Sequence, residues 1–301
     1  MSISAKIAGA PISWGISEVA GWGVQLSPER VLSEMRELGL AATEIGPDGF
    51  LPPAPSDKAR TLATYDLTAV GSFVPVVMHR EDIDPIPRIL RELDDYAAAG
   101  ADILIVCAVT GEDGYDTTRE PMTDEQWSTL LGNLDRIAEA AQARGVTAAL
   151  HPHVGSMVET AEDVDRVLAD SAVPFCFDTG HLMIGGTDPV AFARDNAARI
   201  AHTHLKDVAL AGMQRVKDGA ISYFDAILAD SLSRPLGQGD VDIRAIVKSL
   251  IDSGYAGWFV LEQDKVVTET PAEGEGPVAD ARQSVAFLRG VLDELEAAVS
   301  S

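Results

Sequence analysis

The sequence predicts an α/β protein in which eight parallel strands and their crossover helices close into a (β/α)8 barrel, a single domain over residues 1–301. Three observations lead there. Short apolar runs alternate with longer amphipathic ones along the chain, the pattern of parallel strands joined by helices. Eight such units fill 301 residues, the usual size of a closed barrel. An open doubly wound sheet would carry a glycine-rich phosphate loop after its first strand, and "PISWGISEVAGWG" contains no GxGxxG.

The strands are read at 6–13, 41–46, 67–74, 101–109, 146–152, 173–178, 200–205 and 257–262. Each is a short apolar or β-branched run bounded by Gly or Pro, as suits a strand covered on both faces. After the first strand, "SPERVLSEMRELGL" starts a helix with Ser27 as N-cap and Pro28 at the first helical position. After the third and fourth, "DPIPRILRELDDYAAAG" and "TDEQWSTLLGNLDRIAEAAQARG" end at glycine, the residue favoured just past a helix. After the fifth, "TAEDVDRVLADS" sets Asp163 three residues beyond a Thr cap, close to a capping box. "VDIRAIVKSLIDSG" precedes the eighth strand, and "VADARQSVAFLRGVLDELEAAVS" follows it. Two segments, 208–240 and 263–277, read as non-periodic and should lie over one barrel end as a lid or a subunit contact.

A formal charge of −24 excludes a nucleic-acid partner, whose phosphates demand basic surface, and disfavours an anionic membrane surface. Apolar residues make up 46% of the chain, enough for a large core. No apolar run approaches the roughly 18 residues of a membrane span. The first residues lack a basic region followed by a long apolar stretch, so a secretory signal is not expected. Cys107 and Cys176 end apolar runs and read as buried and reduced, with a disulfide the weaker alternative. The expected setting is cytoplasmic.

Barrel active sites occupy the C-terminal ends of the strands. The fifth strand ends at His151, the sixth at Asp178, the seventh at His204 and the eighth at Glu262. Four consecutive strands thus offer one nitrogen or oxygen donor each at a common height. Two imidazoles and two carboxylates, with room for substrate oxygens, suit a divalent metal, Mn2+ or Co2+ before a closed structural zinc. Five of the six histidines fall in "AALHPHVGS", "FDTGH" and "IAHTHLKD". Around the donors, His153, Glu159, His181, Lys206, Glu44 and His79 are candidates for substrate contact. Trp14 could wall a ring face; equally, Trp14 could be core, Glu44 and Asp207 caps, and His79 solvated. His202 lies one layer below His204 on the same strand, placed for a supporting role. No GxSxG elbow or Walker loop occurs and neither cysteine has an evident base partner, so acid–base groups beside a metal should carry the chemistry.

The string "HPH…FDTGH…HTHLKD…VLEQD" resembles the xylose-isomerase-like TIM-barrel superfamily of sugar isomerases, epimerases and endonuclease-type relatives. "PLGQGDVDIRAIVKSLIDSGYAGWFVLEQD" (235–264) is similar to that family's PLGxGxVD segment and final strand. The resemblance spans the chain. It implies a metal on His151, Asp178, His204 and Glu262, and a glutamate in the epimerases where this chain has His151. An imidazole cannot serve as the matching carboxylate of a two-glutamate epimerisation. The subgroup with histidine there resembles inosose dehydratases, as do "APISWG", "TEIGPDGFLP", "GSFVPVVMH" and "TGEDGYDT". The implied reaction is loss of water from 2-keto-myo-inositol through an enediolate to a trihydroxycyclohexane dione. The base would be Glu262, His153 or Glu44, and the acid Lys206, His153 or His181. A metal-dependent ketose epimerase or keto-inositol isomerase is the competing reading. A dimer or tetramer is the family-level expectation.

Overall fold

The computed structural model describes residues 6–116, 119–229 and 231–299. Thr117 of "TGEDGYDT" and the Ser300 end of the last predicted helix lie outside them.

Nine strands form one parallel sheet: β1 Ile7–Gly9, β2 Ala42–Thr43, β3 Thr68–Ala69, β4 Gly71–Val76, β5 Ile103–Ala108, β6 Thr147–Leu150, β7 Phe175–Asp178, β8 Ile200–Leu205 and β11 Phe259–Leu261. Their order is β3-β2-β1-β11-β8-β7-β6-β5-β4. The two ends of that order are consecutive in the chain, parted only by Val70. The Ile45 amide, just past β2, donates to Gly71 O at 2.9 Å. Taken together, β3 and β4 make one bent stave, and eight staves close a barrel in chain order. A further pair, β9 Asp207–Val208 and β10 Ser233–Arg234, is antiparallel and sits outside the ring.

Most helices fall where the periodicity places them: α1 Pro28–Glu37, α3 Ile86–Ala99, α4 Asp124–Gln142, α5 Ala161–Asp170, α10 Ile243–Asp252 and α11 Pro277–Val299. The Ser27 hydroxyl accepts from Arg30 N, and Thr160 with Asp163 completes the capping box. Three crossover helices carry no strong signal of their own, namely α2 Pro55–Ala63, α6 Thr179–Gly185 and α7 Pro189–Asp195. The segment 208–240 is a correction. It folds as the β9/β10 pair around α8 Leu210–Lys217 and α9 Tyr223–Leu228. Those helices have 8 and 6 residues, too short to show a period. Segment 263–277 is irregular until α11, as read. Arg30 pins it by donating to Pro271 O at 2.6 Å and Ala272 O at 2.7 Å.

Side chains alternate along the staves, so residues two apart share a face. The outward faces join the helices in one large core. The inward faces hold a lower layer of small or apolar groups, among them Ala8, Ala42, Ile105, Ala149, Cys176 and Val260. Both cysteines are buried and free. Two residues beyond Ala149, Cys176, His202 and Val260 on the same faces stand His151, Asp178, His204 and Glu262. Among the described residues no helix is long and apolar enough to cross a membrane.

Candidate metal centre and active site

One donor atom from each of His151, Asp178, His204 and Glu262 lies within 4.8 Å of the others. His204 Nδ1 is 2.9 Å from Glu262 Oε2, 3.2 Å from His151 Nε2 and 3.7 Å from Asp178 Oδ2. Strand register produces this convergence: Asp178 pairs with His204, and His204 with Val260, two residues before Glu262.

The two oxygens of Asp178 divide their work. Oδ1 caps α6, accepting from Gly180 N at 2.9 Å and His181 N at 2.8 Å. Oδ2 is fully buried and has no hydrogen-bond partner. A buried anionic oxygen without a hydrogen bond is costly, and this one has only longer contacts, to His151 Nε2 and Lys206 Nζ at 3.5 Å and to His204 Nδ1 at 3.7 Å. A cation held by the four donors would satisfy it, and the mixed nitrogen and oxygen set fits a divalent transition ion.

Glu44, beyond β2, supports the centre from across the barrel. Its Oε1 lies 2.7 Å from His204 Nε2 and 2.8 Å from His202 Nε2. The His204 Nε2–H is thereby held on a carboxylate, which leaves Nδ1 for the donor set. Burial works against the Glu44 carboxylate, but the two histidines prevail and hold its pKa down near 2. Burial likewise opposes charge on His204, yet the surrounding acids raise it well above an ordinary imidazole. His202 thus supports the site from below, as its alternation with His204 predicts.

Lys206 is buried to 1% exposure. Its Nζ donates to both oxygens of Asp264 at 3.0 Å and to His181 Nε2 at 2.8 Å, and lies 2.9 Å from Glu262 Oε1. Burial opposes the charge, but Asp178, Asp264 and Glu262 outweigh it and raise the pKa, so the ammonium persists. Its stem passes Gly180 so closely that a Cβ there would meet Lys206 Cγ at 2.7 Å, which explains the glycine of "FDTGH".

His153 behaves differently. Burial and the positive charge of its neighbours depress its pKa to about 3, and His181 falls well below normal for the same reasons. Neither imidazole is a ready acid at neutral pH, which corrects that part of the sequence reading and leaves Lys206. His153 Nδ1 lies 2.7 Å from Val154 O. In the neutral ring that nitrogen carries the hydrogen, so Nε2 keeps its lone pair.

A cleft of about 360 Å3 opens over the centre, lined by Glu44, His151, His153 and Glu262. Three further corrections concern its walls. Trp14 lies in the core at 1% exposure, its indole N–H donating to Glu34 Oε2 at 2.9 Å. A short 3-10 turn, Pro11–Trp14, follows β1 and turns the indole outward to α1. His79 sits in a separate depression with Arg80, Asp82 and Glu125, carried there by the loop after β4. Glu159 accepts from Gly155 N at 3.1 Å and braces its own loop. Lys206 and His181 lie behind the cleft wall at 1% exposure each. Asp207 is a cap, accepting from Gly237 at 2.8 Å, Gly239 at 2.9 Å and Val241 at 3.0 Å; these contacts account for the "GQGDV" spacing.

Asp264 and Tyr223 are among the cleft residues that escaped the sequence reading. Asp264 follows Glu262 on the same face, a signal present in "VLEQD" but spent on the ligand alone. Tyr223 arrives on α9 and donates its phenol hydrogen to Asp264 Oδ2, and no local pattern marks it. The roof is interlocked. Tyr115 O–H donates to Glu18 at 2.6 Å, Asp116 accepts from the first amides of α9, and the Trp22 and Phe224 rings meet edge-on at 5.4 Å. Gly155, at φ +71°, lets the His153 loop pass Tyr115 O, which a Cβ would approach to 2.1 Å.

Fold and site together define a (β/α)8-barrel enzyme with a four-donor cluster at the C-terminal end of its strands. The chain belongs to the xylose isomerase-like TIM barrel family, whose model matches residues 32–291. It is 33% identical over 272 residues to an inosose dehydratase of Geobacillus kaustophilus (strain HTA426), covering 86% of this chain and 87% of that protein. It is 34% identical over 272 residues to the rhizopine catabolism protein MocC of Rhizobium meliloti, covering 87% and 82%. The fold matches an L-ribulose 3-epimerase structure with a TM-score of 0.73 at 18% identity, over 98% of this chain and 97% of that one. With such relatives the chain is an enzyme of the lyase class.

Proposed function

We propose that the protein is a divalent-metal-dependent hydro-lyase that dehydrates a cyclic polyol ketone, 2-keto-myo-inositol, with Mn2+ or Co2+ on His151, Asp178, His204 and Glu262. The observation that carries the reading is His151. It leaves the donor set one carboxylate short of the pair that a symmetrical epimerisation uses, in a chain whose relatives at 33% identity include an inosose dehydratase. A bound ion would orient the ketone and its neighbouring hydroxyl and act as a Lewis acid on their oxygens.

The protein groups divide the proton work. Neutral His153, its Nδ1–H on Val154 O, offers the Nε2 lone pair as the base for the α-proton. With a pKa of about 3 it is a weak base, so the proton would have to be acidified by the bound ion acting on the ketone oxygen. Glu262 and Glu44 are the alternatives, but Glu262 is tied to Lys206 and His204, and Glu44 to two histidines. As the α C–H breaks, its electron pair forms the enediolate; the β C–O bond then breaks and the hydroxyl leaves with one added proton as water. Lys206 holds that proton, and Asp264, which faces both Lys206 and the cleft, sets it beside the leaving group. The enol tautomerises to the trihydroxycyclohexane dione.

The test is to load the protein with Mn2+ or Co2+, add 2-keto-myo-inositol, and follow product mass and dione absorbance. Dehydration yields a product lighter by one water. A product isomeric with the substrate refutes it and establishes the epimerase or keto-inositol isomerase reading.

A further inference from the structure

The proposed ligands occupy one half of the barrel mouth, on β6, β7, β8 and β11. β4 with the loops and helices after β2 and β4 builds the facing wall, and its polar groups besides Glu44 and Ser72 are Asp48, Arg88 and Glu92. Arg88, in the first turn of α3, sets Nε 2.7 Å from Glu92 Oε1 and a terminal nitrogen 3.8 Å from Asp48 Oδ2. A ring held by its ketone edge on the ligands would direct its remote hydroxyls toward this wall. Behind the wall lies a second cavity of about 220 Å3 that shares Asp48, Ser72 and Glu92 with the cleft. The partition combines Gly46 and Pro47 with the side chains of Asp48, Ser72 and Glu92, and those side chains set the chemistry that the far edge of the ring would meet.

Charge narrows what can bind. Among the described residues the cleft is lined by six carboxylates, Glu18, Glu44, Asp48, Glu92, Glu262 and Asp264, and by one guanidinium, Arg88. The guanidinium pairs closely with Glu92 and only loosely, at 3.8 Å, with the exposed Asp48, and six carboxylates outnumber it, so the net charge of the cleft opposes a phosphate. A donor fork between two acceptors instead matches hydroxyl groups, each of which gives one hydrogen bond and takes another.

We propose that Asp48, Arg88 and Glu92 form the specificity wall of this enzyme, reading the hydroxyls on the ring edge remote from the ketone and excluding phosphorylated rings. The inference rests on the dehydratase reading for its substrate, and binding of unreactive cyclitols tests it separately. Calorimetry on metal-loaded protein would compare myo-inositol, a deoxy-inositol lacking one remote hydroxyl, and myo-inositol 1-phosphate. The wild type is expected to favour myo-inositol over the other two by at least about tenfold.

Arg88→Gln should abolish the preference for myo-inositol over the deoxy ring, and Glu92→Gln should relax the exclusion of the phosphate. With 2-keto-myo-inositol, both should raise KM by about 10- to 100-fold, the loss falling on KM more than on kcat. Arg88→Lys keeps the charge without the fork and should recover only part of the preference. Unchanged thermal unfolding in the variants keeps a folding defect from imitating the result. Wild-type preference and KM retained in both Gln variants overturn the wall, as does a wild type that binds the phosphate as well as myo-inositol. If the wild type shows the cyclitol preference but does not dehydrate the ketone, the wall stands and the dehydratase reading falls. Dehydration with indifferent binding gives the converse.

Discussion

Glu44→Gln offers a sharp probe of the centre, because it changes charge and leaves shape. In the wild type a single oxygen accepts from His204 at 2.7 Å and His202 at 2.8 Å. Such bonds to an ionised acceptor contribute about 1.5–3 kcal/mol each, against about 0.5–1.5 for a neutral one. The amide therefore weakens the anchor on His204 by roughly 1–2 kcal/mol, and losing a buried negative charge near a dication acts the same way. Outer partners of metal-bound histidines typically contribute about 10–100-fold in affinity, and that range is the expected loss for Mn2+ or Co2+. A pH dependence follows from the same contact. Glu44 also helps raise the His204 pKa, so the variant weakens the proton that competes with metal for Nδ1. The affinity loss should accordingly be larger at pH 8 than at pH 6. Competition with a chelating dye at both values measures it, with unfolding of the metal-free protein as a control. Affinity within twofold of wild type at both values would refute the role given to Glu44.

Acid should destabilise the metal-free protein through His153. Its pKa is lowered to about 3 in the fold against about 6.5 in an unfolded chain, so the unfolded state binds the extra proton. The stabilisation is complete above about pH 6.5 and is lost as pH falls toward 3, an effect on the order of 5 kcal/mol for so buried a group. His153→Phe should flatten that slope in urea titrations at stepped pH; an unchanged slope would contradict the assignment. Trp14 should affect stability without affecting binding. Trp14→Ala is expected to cost about 3–5 kcal/mol and lower the melting temperature, while Trp14→Phe leaves the KM for 2-keto-myo-inositol unaltered. A KM change with Trp14→Phe would return that residue to the substrate wall.

Where a signal is local, the sequence reading succeeds. The Ser27 and Thr160 caps need only residues three apart, and each barrel stave is a short apolar run. The convergence of His151, Asp178, His204 and Glu262 was legible because a strand has a fixed period and barrel chemistry gathers at strand ends. Trp14 shows the limit. A residue just past a strand points wherever the next turn sends it, and the Pro11–Trp14 turn sends the indole to Glu34. His79 fails for the same reason, since the loop after β4 carries it to another depression. Tyr223 was beyond reach because it sits on a six-residue helix.

Strand periodicity and helix capping act over a few residues, so the barrel, its staves and the four strand-end side chains that converge could be read locally. The partners of those side chains, and the direction in which burial and charge push each of them, come from the closed fold. Glu44 meets His204 across 160 positions of chain, and Lys206 meets Asp264 across 58. Burial then determines which groups keep a charge: Lys206 retains its proton amid three acids, and His153, two residues from a proposed ligand, loses its own. Such energies depend on distances through the closed barrel, and no window of sequence contains them.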